Sequence, residues 1–84
     1  MAHNRQLGQR IDELKTLRDE LAVRIHLGEM EARDRLEALR PRIDEVEFQA
    51  ERATDATLDL LLRTVDSLRG SLNELRTKVE SKMH

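Results

Sequence analysis

The chain has 84 residues and a net charge of −2, from 15 basic and 17 acidic side chains, with no Cys, Trp or Tyr and Phe48 as its only aromatic. No cysteine means no disulfide framework, no thiolate metal site and no redox chemistry. The near balance of charge leaves no basic tail for nucleic acid. Charged residues make up 38% and apolar residues another 38%, too apolar a mixture for a disordered chain. Without bulky aromatics the interior must be filled by Leu, Ile, Val and Ala, which suits a narrow helix–helix seam. The length fits one domain, residues 1–84. So small a domain buries little surface alone, so self-association is expected.

In chain order, the first signal is Asn4, an N-cap residue ahead of Leu7. From there an apolar stripe runs at spacings of three and four: Leu7, Ile11, Leu14, Leu21, Ile25, Ala32, Leu36, Leu39, Ile43, Val46, Ala50, Ala53. That period belongs to a helix packed along one face. Gly28 is isolated within the pattern; it weakens a helix by about 1 kcal/mol relative to Ala but need not end it. Pro41 removes one backbone hydrogen bond and clashes with the carbonyl four residues earlier. The stripe nevertheless keeps phase across it, from Leu36 and Leu39 to Ile43 and Val46. This predicts a continuous helix kinked at Pro41; the alternative is a hairpin turning at Arg40-Pro41. The phase breaks at residues 53–57, where Thr54 and Asp55 are both N-cap residues; a stutter through Thr54 would be the continuous alternative. The stripe resumes as Leu58, Leu61, Val65, Leu68, Leu72, Leu75 and Val79.

The predicted fold is therefore all-α. Helix A spans about 4–53 with a kink at Pro41, the turn falls at about 54–55, and helix B spans about 55–82. Helix B is the shorter antiparallel arm of a coiled-coil hairpin. At ~1.5 Å per residue, helix A would be roughly 75 Å long, and helix B could cover only its second half. The exposed remainder needs a partner, which predicts assembly into a multi-helix bundle as a dimer or tetramer. The seam consists chiefly of Leu14, Leu21, Ile25, Leu36, Leu39, Ile43, Val46, Leu58, Leu61, Val65, Leu68, Leu72 and Leu75. A second set lies off it: Val23, Leu27 and Met30 as a short stripe, Leu60 and Leu62 beside Leu61, and Phe48. These six are the candidate oligomer or partner patch, since a helix apolar on two sides is buried on two sides; the plain alternative is ordinary intramolecular core.

The polar surface carries acid-then-base pairs four residues apart: Glu20–Arg24, Glu29–Arg33, Glu31–Arg35, Asp59–Arg63 and Glu74–Lys78. Each contributes about 0.2–0.5 kcal/mol to an exposed helix. Asp44, Glu45, Glu47, Glu51, Asp55 and Asp59, interrupted only by Arg52, form the most acidic stretch, read as a solvated face. Ser67, Gly70 and Ser71 form a small-residue patch on helix B.

No chemistry stands out. His26 and Glu29 are three apart, the one spacing suited to a metal, and a surface histidine is the simpler reading. Asp12-Glu13 and Asp19-Glu20 diverge around the helix and do not make a shared-proton dyad. Ser67, Ser71 and Ser81 have no activating histidine, and the glycines form no phosphate loop. Neither an enzyme nor a cofactor or metal protein is expected. No apolar run reaches the ~18 residues of a membrane span and no leader segment is evident, so a cytoplasmic protein is expected.

The stretch from His26 through Gly28, Met30 and Arg33 to Leu36, running on to Leu39-Arg40-Pro41-Arg42, resembles small uncharacterised bacterial coiled-coil proteins. The resemblance covers about half the chain. It implies a helical hairpin and a bacterial origin, and it brings no functional residues with it. The residues point to a non-enzymatic structural or protein-interaction module that self-associates through the seam. The alternatives are an amphipathic protein that opens onto a lipid surface, or a weak nucleic-acid binder through Arg63, Arg69, Arg76, Lys78 and Lys82, which lack aromatics for base stacking.

Overall fold

Leu7, Ile11, Leu14, Leu17 and Leu21 share one face of a 20-residue helix, α1 (Arg5–Arg24). The same logic gives α2 (Met30–Ala50), with Ala32, Leu36, Ile43 and Val46 buried. It gives α3 (Asp55–Ser81), with Leu61, Val65, Leu68, Leu72, Leu75 and Val79 buried. These three helices, and no strand, make up the secondary structure of the computed structural model, which describes residues 5–25 and 29–81. Asn4, His26, Leu27, Gly28 and the end of helix B at Lys82 lie outside the described residues.

The helix expected over 4–53 is two helices, not one. The chain leaves α1 after Arg24 and starts α2 at Met30. The reason lies in what a continuous helix would expose. Its first half would hold Leu7 to Leu21 away from helix B with nothing to cover them. Folding back covers them within the chain, and all three helix pairs pack on one another. The result is an up-down-up bundle measuring 46 × 18 × 16 Å, far shorter than a 50-residue helix. The kinked-helix hairpin is thus replaced by a three-helix bundle.

Pro41 lies inside α2, exposed, and does not end it. The second turn falls where the stripe loses phase. The chain tightens after Ala50 with Arg52 N–H donating to Gln49 O at 3.0 Å. Thr54 then precedes α3 and accepts at its carbonyl from the N–H groups of Thr57 and Leu58 at 3.1 and 3.0 Å. The Thr54 N–H donates in turn to Thr57 Oγ1 at 3.0 Å. A side chain three residues into the helix thus reaches back to the cap position, as in a capping box. By contrast Glu29, ahead of α2, makes no side-chain cap bond.

Packing is wholly aliphatic. Sixteen apolar residues form one core cluster, with no buried polar or charged residue among those described. Leu21, Ile43 and Leu72, one from each helix, are fully inaccessible. Gly8 and Gly70 sit within helices, and a Cβ at either meets nothing within 4 Å. Each weakens its helix by about 0.5–1 kcal/mol relative to Ala without any packing return in this chain.

Ion pairs link the helices at their margins. Arg10 pairs with Asp66 at 2.6 Å, Glu13 with Arg69 at 3.3 Å and Arg24 with Glu80 at 2.7 Å. Each joins α1 to α3 at the same separation of 56 residues (66−10, 69−13, 80−24), so these two helices run parallel in one register. Lys15 Nζ donates to Glu47 Oε2 at 2.6 Å across α1 and α2. That hydrogen bond and the carboxylate charge raise the Lys15 pKa above its ordinary 10.5.

Three outcomes follow from this architecture. Leu72→Ala should destabilise the fold by about 2–5 kcal/mol in denaturant unfolding, as a fully buried truncation. Pro41→Ala should stabilise it by about 1–3 kcal/mol; a loss instead would mean that α2 depends on the proline. Because the folded Lys15 pKa is raised, its ion pair contributes below the ordinary lysine value and is lost as pH rises through the folded one. The stability gap between the parent and Glu47→Gln should therefore persist through neutral pH and close in strongly alkaline buffer, followed by thermal unfolding.

Candidate functional site

The seam residues do not form an external site. Leu14, Leu21, Leu36, Ile43, Val46, Leu61, Val65, Leu68, Leu72 and Leu75 are all buried in the core, and Ile25, Leu39 and Leu58 pack partly buried against it. Leu17 joins them although it is off the stripe as read. Its signal was available, since it stands three residues after Leu14 and four before Leu21.

The off-seam set divides. Val23, Met30, Phe48 and Leu60 are the exposed large hydrophobics, at 83%, 64%, 46% and 66% exposure. Leu62 instead packs partly buried on the core, and Leu27 lies outside the described residues. The four exposed side chains do not form one patch. Val23 and Met30 flank the α1–α2 connection, whereas Phe48 and Leu60 flank the α2–α3 turn at the other end of the rod. Phe48 is covered on one face by the Arg52 guanidinium, 4.3 Å from the ring centroid, a cation–π contact.

Charged side chains also depart from the local pairing expected. Glu31–Arg35 forms at 3.2 Å. Arg24 takes Glu80 of α3 rather than Glu20 of its own helix. Neither Asp59–Arg63 nor Glu74–Lys78 forms an ion pair among the described residues, and Arg63 and Glu74 have no other polar partner. A tertiary carboxylate can outcompete one on the same helix because it also gains from the packing that presents it.

Open grooves separate the helices. That between α1 and α3 has a volume of about 540 Å³, with Asp12, Glu13 and Glu20 on one wall and Arg69, Asn73 and Arg76 on the other. That between α2 and α3, about 300 Å³, has Leu39 and Leu75 at its base and Arg35, Arg42, Ser71 and Glu74 at its rims. Of the basic residues read on helix B, Arg69 and Arg76 share the α1–α3 groove with carboxylates, and Arg69 is held by Glu13. No group of three His, Cys, Asp or Glu among the described residues could hold a metal ion. No described helix is long and apolar enough to cross a membrane. What the outer faces offer chemically is exposed aliphatic side chains set among mixed charges. Set against known proteins, the chain matches no family model, no curated protein and no solved structure.

Proposed function

We propose that this chain is a non-enzymatic structural or protein-interaction module that works by association through its outer helix faces. The observation that carries the reading is the division of its apolar residues. Sixteen close one core within a single chain, while Val23, Met30, Phe48 and Leu60 stay in solvent without contributing to it. The seam is used up in holding the bundle together. Association through the seam, as the sequence suggests, would require the bundle to open; association through the outer faces would not. A dimer or tetramer of bundles is the assembly that fits a small domain of this kind.

Sedimentation equilibrium over a hundredfold concentration range tests this, because it reports mass without a shape assumption. A concentration-dependent dimer or tetramer with unchanged helicity is the expected result. A single-chain mass throughout would overturn self-association. Flotation with anionic vesicles then tests the lipid reading, which requires binding together with opening of the core.

A further inference from the structure

We propose that a second copy of this chain docks on the outer face of α3, antiparallel, with Arg63 of each copy meeting Glu74 of the other. The inference rests on the self-association reading and names its surface. Opposite the core stripe, α3 carries a second line at alternating spacings of three and four: Ala56, Leu60, Arg63, Ser67, Gly70, Glu74, Thr77 and Ser81, all exposed. An antiparallel copy related by a twofold axis between Leu68 and Arg69 matches these residues in pairs whose numbers sum to 137 (63+74, 67+70, 60+77, 56+81). At the centre the pair is Ser67 with Gly70, both small. A turn and a half out on each side, roughly 8 Å along the axis, stands Arg63 with Glu74. Beyond it Leu60 meets Thr77, and Ala56 meets Ser81.

Four observations support this face. Arg63 and Glu74 are the charged members of the line, have opposite signs, sit equidistant from the axis and have no ion partner among the described residues. Gly70 lacks a reason inside the monomer, since a Cβ there meets nothing within 4 Å; at the centre of a helix pair it lets the backbones approach. The hydroxyls of Thr64 and Thr77 donate to the carbonyls of Leu60 and Asn73 at 2.9 and 3.0 Å, leaving their methyl groups free for apolar contact. Leu60, at 66% exposure, is the large apolar side chain on the line.

The test is a charge-exchange cycle read by sedimentation equilibrium. Arg63→Glu and Glu74→Arg should each raise the dimer dissociation constant by at least about tenfold, and the double exchange should restore it. Gly70→Gln should dissociate the dimer while leaving the monomer at least as helical and heat-stable, because its Cβ has open space. A dimer that survives all three variants overturns the face but leaves self-association standing. A parent that is monomeric throughout overturns both.

Discussion

Everything in this molecule depends on three aliphatic stripes closing on one another. Each helix carries a stripe too narrow to be stable in water, and the one aromatic side chain, Phe48, lies outside the core. A two-helix seam would leave Leu7, Ile11, Leu14, Leu17 and Leu21 open. A third helix, α1 folded back from α2, removes them from solvent. The cross-section of 18 × 16 Å is what aliphatic side chains from three helices can fill without a void. The break after Arg24 is thus the decisive structural event, although it is the least marked in the sequence.

That contrast shows what the residues disclose. The second turn was legible because Ala53 to Leu58 is five residues, a step no helix face accommodates, and because Thr54 and Asp55 are residues that cap. Helix continuity through Pro41 was legible because Leu39 and Ile43 keep phase across it. The first turn was hidden because Ile25 to Ala32 is seven residues, one full heptad. A stripe that leaves one helix and enters another at that interval looks unbroken. Length carried the missing information: an uncovered half-seam is an energetic cost, and a chain can relieve it by doubling back as well as by recruiting a partner. The six off-seam residues were partly legible. Val23, Met30, Phe48 and Leu60 lie on outer faces, whereas Leu62 packs partly buried on the core. The ion pairs between α1 and α3 were not legible, because a separation of 56 residues acquires meaning only once the helices are known to be parallel.

The three helices differ in how far they could stand alone. α3 begins with a reciprocal Thr54–Thr57 cap and has Lys78 in its last turn. α2 has no side-chain cap, contains Pro41 and has no basic residue in its last turn. Its charges begin balanced, with Glu31, Asp34 and Glu37 against Arg33, Arg35 and Arg40, and end acidic, with Asp44, Glu45 and Glu47 after Arg42. That order opposes the helix dipole, which favours acids near the N-terminus and bases near the C-terminus. Tertiary burial of Leu36, Ile43 and Val46 therefore maintains α2 against its own local preferences, and the bundle is a composite of one self-consistent helix and one that is conditional.

A core with no polar side chain among the described residues has a consequence for register. Leu, Ile and Val layers repeat every heptad, so sliding one helix by seven residues returns aliphatic groups to aliphatic surroundings. Dispersion and burial discriminate such a slip only weakly. The short connections at 25–29 and 51–54 limit such a slip, and the trio joining α1 to α3 together with Lys15–Glu47, all at the partly exposed margin, adds to the preference for the native alignment. Charges at that depth are screened over about 8–10 Å at moderate ionic strength. Salt thus acts on which alignment the helices adopt more than on whether they are helical, and the bundle's structural uniqueness, unlike its helicity, is set partly by the ions around it.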